Sequence, residues 1–162
     1  AMEQMFPAEN SFRSGEYELA LNGDGNNSGF ADIIKKYGSK PGKSVYFYAG
    51  VCELRLGKFD EAIGYLKKYN VKEPILSARA KACIGDAYVG LKKYDEAIKS
   101  YKDAVAKSDN IFAATYLLKE GLAYEALGKK TDALACYTGI RDNYPQSIEA
   151  YDIIKYITRV SE

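Results

Sequence analysis

Apolar residues return along this chain every three or four positions, the period of one helical face, and nowhere in the two-residue alternation of a half-buried strand. Phe30, Ile33, Ile34 and Tyr37 share one such face, and Ile148, Tyr151, Ile154, Ile157 and Val160 share another near the end. Between them the pattern breaks at turn residues and predicts helices in pairs. Gly57 and Gly128 stand where a first helix should stop, since glycine takes the left-handed conformation that ends helices. Lys92-Lys93 and Lys129-Lys130 fall near first-helix C-termini, while Asp60-Glu61 and Asp95-Glu96 open the second helices, each sign complementing the helix dipole.

The pairs repeat. Ala62, Ala97 and Ala133 stand 35 and 36 residues apart, and a glycine (Gly50, Gly85, Gly121) precedes each by twelve residues. Phe59 and Tyr94 begin the second helix of two copies, with Lys130 in that place in the third. A large residue follows each alanine by four: Leu66, Tyr101 and Tyr137. Pro74 and Pro145 are read as closing two repeats, with Asp109 in that place in the other. The small residue lets the two helices of a repeat approach closely, and the aromatic at the turn fills the wedge between repeats.

An imperfect copy comes first. Gly15-Glu16-Tyr17-Glu18-Leu19-Ala20 carries the same glycine-aromatic-alanine string, but Ala20 stands 42 residues before Ala62. The excess matches an insertion at 22–29, Asn-Gly-Asp-Gly-Asn-Asn-Ser-Gly, too rich in glycine and asparagine to stay helical. The second helix resumes at Phe30, and 38–42 is the next connection. Residues Ser147 to Val160 are expected to form one capping helix over the last repeat, giving about nine helices in all.

Over residues 8–145 these markers resemble the tetratricopeptide-repeat family, whose unit is a 34-residue antiparallel helix pair. The resemblance implies an all-α fold, a right-handed superhelical solenoid of antiparallel helix pairs with a C-terminal capping helix. A single domain over 1–162 is expected, divided into an interrupted first repeat (1–42), repeats at 43–76, 77–110 and 111–146, and a cap at 147–162. In the family the first helices line a concave groove for a peptide or protein. Carried onto this chain, the groove positions are Phe47, Val51 and Leu54, then Arg79, Ala82, Asp86 and Val89, then Leu118, Leu122 and Glu125. The Lys/Asn/Arg clamp by which some members grip a C-terminal carboxylate is missing, its places holding Met5, Glu9, Cys83, Thr115 and Lys119. The broken first repeat, from Tyr17 through Gly29-Phe30-Ala31-Asp32-Ile33-Ile34, looks like the N-terminal region of bacterial membrane-anchored repeat proteins of the cell envelope. That likeness implies a periplasmic-side location behind a preceding anchor, with the cytoplasm as the alternative.

Composition narrows the chemistry. The 23 basic residues against 22 acidic ones form no basic block, so nucleic acid is not an expected partner. Histidine is absent, which removes the commonest general base and metal ligand. No phosphate-cradling loop appears, and adjacent carboxylates such as Asp60-Glu61 point about 100° apart on a helix. The chain is therefore read as no enzyme, with no catalytic residues, cofactor or resident metal. Cys52, Cys83 and Cys136 make no paired motif and read as small buried residues. Most tyrosines are expected between helices with the hydroxyl reaching the surface. Asp24-x-Asn26-x-Ser28-Gly29 matches the start of a calcium loop with Asp32 at position nine, but Lys35 replaces the bidentate glutamate at position twelve.

The leading expectation is a scaffold or adaptor that binds a protein or peptide in an apolar groove. A homo-oligomerisation module is the alternative, and a calcium-dependent adaptor using the 24–32 loop is remoter. The register itself is testable. Ala97→Trp, at a close helix contact, should destabilise by roughly 1–3 kcal/mol through overpacking; a variant that melts like the parent would mean the register is wrong.

Overall fold

The computed structural model describes residues 2–108 and 111–162, so Asp109, read above in the place of the closing proline, lies outside the described residues. The described residues form helices joined by turns, in two compact units, Ala1–Lys72 and Glu73–Glu162.

The first unit holds α1 (Met5–Arg13), α2 (Tyr17–Asn22), α3 (Phe30–Tyr37), α4 (Ser44–Arg55) and α5 (Phe59–Lys68). Both α2 and α3 pack on α4, as two halves of one interrupted helix. Ala20, Phe30 and Ile33 are fully buried beside Leu21, Val45 and Ala49, so the imperfect copy keeps its core despite the insertion. The loop between the halves closes on itself: a Cβ on Gly29 would sit 2.2 Å from the Leu21 carbonyl oxygen and 2.5 Å from the Gly23 nitrogen. Only glycine allows backbone to meet backbone there. The Phe30 ring stacks on Tyr48 at 5.1 Å, and Phe12 meets the same tyrosine edge-on at 5.0 Å.

The second unit holds α6 (Pro74–Gly90), α7 (Tyr94–Ser108), α8 (Phe112–Ala126), α9 (Lys130–Asn143), α10 (Ile148–Tyr151) and α11 (Ile153–Ser161). Each of α6 to α9 packs on its successor, and α11 packs on α9. The marker alanines Ala97 and Ala133 are fully buried, as is Ala62 in the first unit. The close approach is equally plain. A Cβ on Gly85 would lie 2.6 Å from Tyr101 Cε1, one on Gly121 2.5 Å from Tyr137 Cε1, and one on Gly50 2.6 Å from Leu66 Cγ. Phe59, Tyr94 and Lys130 each begin their second helix. Gly57 and Gly128 take φ of 77° and 72° at the preceding turns, and Lys92 adopts 57° at the equivalent turn, where a side chain is strained.

Four expectations need correction. Pro74 does not close a repeat: it opens α6, where a proline's missing N–H is harmless, behind the Glu73 carboxylate that accepts from the Ile75 and Leu76 N–H groups. The cap is two helices, broken at Asp152 (φ −105°, ψ 8°), so with α2 and α3 separate the described residues hold eleven helices. That break turns the face: Ile153 and Val160 are buried, whereas Ile148, Tyr151 and Ile154, assigned above to the packing face, are exposed. Cys52 and Cys136 are buried, but Cys83 is only half-buried.

One buried group works against the fold. Glu53 on α4 is 7% exposed, and its Oε2 has no hydrogen-bond partner. Burial raises its pKa above the usual carboxylate range, with Lys58 opposing and Glu61 and Glu18 adding to the rise. A raised folded pKa means that stability from this group is full below the unfolded value near 4.5 and falls as pH climbs through the folded value. Glu53→Gln removes the ionisation, so its melting temperature relative to the parent should rise between pH 4 and pH 7. An unchanged difference at the two pH values would show that the carboxyl is solvated.

Candidate functional site

The first helices of the repeats in the two units are α4, α6 and α8, and the ten groove positions divide among them. On α4, Phe47 is half-buried with its ring 5.3 Å from that of Tyr69, Leu54 is half-buried, and Val51 is buried. On α6, Arg79 is exposed, Asp86 and Val89 are half-buried, and Ala82 is buried. On α8, Leu122 is exposed while Leu118 and Glu125 are half-buried. Val51 and Ala82 therefore offer little surface to a ligand. In the second unit the structure brings Val89 and Leu122 together around a depression of about 200 Å³, completed by Tyr94, Tyr101, Lys119 and Ala123.

The two acidic groove positions are already engaged. Asp86 accepts the Tyr101 hydroxyl at 2.7 Å and receives Lys119 Nζ on both oxygens at 2.8 Å. Burial first, then the neighbouring Asp86 charge, pushes the Tyr101 phenol far up, so it stays a donor. Glu125 Oε1 accepts the Tyr137 hydroxyl at 2.6 Å and Arg159 Nη2 at 2.7 Å. Burial works to raise the Glu125 pKa, but the Arg159 and Tyr137 bonds outweigh it and hold it below the usual range. Each carboxylate thus joins a tyrosine of its own repeat's second helix to a cation on a later helix, α8 or α11. Sequence reading named the acids but missed these partners, because Lys119 and Arg159 lie 33 and 34 residues away. A charge search at one repeat's distance would have found both.

Burial pushes the Cys52 and Cys136 thiols up to about 12, and a thiol is nucleophilic only as thiolate. Tyr101 and Tyr137 are buried and their hydroxyls bonded to Asp86 and Glu125, rather than reaching the surface as expected for most tyrosines.

Two family models described as tetratricopeptide repeat match residues 44–74 and 84–148, which takes in α4, α5, the end of α6 and all of α7 to α9. The chain belongs to the tetratricopeptide-repeat family. Two crystal structures of MamA share its fold. One is 20% identical with a TM-score of 0.72, covering 94% of this chain and 91% of that one. The other is 22% identical with a TM-score of 0.75, covering 98% and 80%. Likeness at that identity establishes the architecture, an all-α tetratricopeptide-repeat solenoid. No curated protein matches the chain in sequence.

The insertion in the first tetratricopeptide repeat is held by its own aspartate. Asp24 Oδ1 accepts the Asn26 and Asn27 N–H groups at 2.9 and 2.6 Å, and Oδ2 accepts Asn27 Nδ2 at 3.1 Å. These bonds, the Asn27 backbone bond foremost, hold the carboxyl below the usual range. A cation would have to displace them and still lack a carboxylate at Lys35. Calcium at millimolar concentration should therefore leave the melting temperature unchanged; a rise that saturates with calcium would instead mark a metal-linked fold.

Proposed function

We propose that this chain is a non-enzymatic scaffold that receives a protein or peptide along the first helices of its repeats. One observation carries the reading. Among the described residues of the second unit, every exposed large hydrophobic side chain lies on a first helix, on its N-terminal flank, or on α10–α11: Ile75, Leu76, Ile111, Phe112, Leu122, Ile148, Tyr151 and Ile154. The second helices α7 and α9 carry none. Scattered exposed apolar residues are ordinary, but their absence from the second helices α7 and α9 supports a surface for contact on the other helices.

The likeness of the interrupted first repeat to envelope repeat proteins supports display on the outer side of the cytoplasmic membrane. No helix among the described residues is long and apolar enough to cross a membrane, so an anchor of that kind would belong to chain outside them.

Leu122 is 40% exposed, so Leu122→Glu should leave the fold intact while placing a charge beside the depression. Affinity capture from lysate and membrane fractions of the source organism, with parent and variant as baits, should retain a partner that the variant loses at least about tenfold, equivalent to ~1.4 kcal/mol. Capture of nothing but the chain itself, with an apparent mass that climbs with concentration, would favour a self-association module.

A further inference from the structure

We propose that the cleft between α2 and the end of α4 receives a primary ammonium on a short apolar stem, whose charge pairs with Glu53. This site is separate from the groove positions, so its failure would leave the scaffold reading untouched.

The repeat register singles out Glu53. It follows Gly50 by three residues, and Tyr88 and Tyr124 follow Gly85 and Gly121 by the same step. Two repeats carry a tyrosine in that place, and this one carries an acid. The Tyr124 ring is met by Lys102 of the preceding second helix, α7, with Nζ 5.7 Å from its centroid. Lys67 and Lys102 stand five residues after their marker alanines, Ala62 and Ala97. The same step from Ala20 falls on Gly25, inside the insertion, which has no side chain to offer. The interrupted repeat therefore brings no lysine from that place to α4, just where α4 presents a carboxylate.

The surroundings carry the matching sign. Glu53 Oε2 is buried with no hydrogen-bond partner, and a buried carboxylate is costly until a cation joins it. Glu18 of α2, Glu61 and Tyr65 of α5, and Lys58 at the turn after α4 face it. Three carboxylates against one ammonium leave a negative field at this corner.

Beside Glu53 opens a cleft of about 590 Å³, lined by Glu16, Tyr17, Glu18, Leu19, Asn22 and Leu56 among others. Leu56 lies three residues beyond Glu53, on the same face of α4. Glu18 both lines the cleft and acts on Glu53. Among the described residues the lining holds two carboxylates and no basic side chain, so it favours cations. Tyr17, Leu19 and Leu56 supply an apolar wall for a methylene stem, as the stem of a lysine covers apolar surface. Among the described residues no group of three metal-ligating side chains converges, which favours an organic cation over a metal ion.

The test is an NMR titration of the whole chain with pentylammonium and, as its uncharged counterpart, 1-pentanol. Pentylammonium should bind at least about tenfold more tightly than the alcohol, and Glu53→Gln should remove that advantage. The ammonium stays charged from pH 4 to pH 7, since its pKa lies near that of lysine, about 10.4. Its affinity should therefore climb with pH as Glu53 ionises, more steeply in the parent than in Glu53→Gln. Glu18→Gln, at an exposed position, is the second variant and should weaken the ammonium about threefold without lowering the melting temperature. Acetyl-Gly-Lys-Gly-amide separates the two sources of such a group. Tighter binding than pentylammonium assigns the ammonium to a lysine of a protein segment, and weaker binding assigns it to a free aliphatic amine. Equal binding of the alcohol, binding unchanged in either glutamine variant, or no binding of either amine would overturn the proposal.

Discussion

The contact on which each intact repeat turns is that between a glycine of its first helix and a large side chain of its second. Gly50 meets Leu66, Gly85 meets Tyr101, and Gly121 meets Tyr137, so closely that an added methyl would fall within 2.6 Å of side-chain atoms in every case. Two helices brought this near bury the alanine markers completely and leave almost no slack in the interior. The contact also sets polar geometry. A tyrosine lying flat along the first helix carries its hydroxyl to that helix's inner edge, where Asp86 or Glu125 accepts it. Leu66, at the same place in the first unit, has no hydroxyl to donate in this way. Packing and polar organisation therefore share one cause.

The clasps have a consequence for recognition. Half-exposed ion pairs contribute little to stability, about 0–1 kcal/mol each, so their larger effect is on what the surface offers. Asp86 accepts on both oxygens and has little capacity left for a ligand's donor, whereas the bonds to Glu125 all fall on Oε1. Lys119, which occupies a place where other family members hold a clamp residue, is likewise engaged by Asp86. Beside these engaged groups lie apolar Val89 and Leu122, which line the depression between them, and exposed Arg79.

The markers legible in the sequence were those with one mechanical role. Gly85, Ala97 and the Tyr101 ring each make a packing contact at a fixed spacing, and the structure places all three as that spacing implies. The insertion was legible for the same reason, since its glycines and asparagines exclude helix, and α3 resumes at Phe30. Periodicity failed where a face depends on something other than period. Ile148, Tyr151, Ile154, Ile157 and Val160 fit one stripe only if the helix is continuous, and the turn at Asp152 divides them. Pro74 illustrates a different ambiguity: a proline between helices ends one or begins the next, and the Glu73 cap makes it a beginning. Among groove positions, spacing located the right helices but not the depth of each side chain. It could not separate Ala82, too short to leave the core, from exposed Arg79 one turn earlier.

The two ends of the chain depart from the repeat in opposite ways. At the first, an insertion of eight residues is folded into a loop whose ends touch at Gly23 and Gly29, so α2 and α3 still meet α4 as a single helix would. The extra chain costs the core nothing, because Ala20 and Phe30 on either side of it are both fully buried. At the other end α10 and α11 follow the last repeat, broken from each other at Asp152. Ile153 and Val160 meet the core of the preceding repeat, while Ile148, Tyr151 and Ile154 stay exposed. The turn at Asp152 interrupts the helix, so a stripe that is continuous in the sequence is divided between core and surface in the structure.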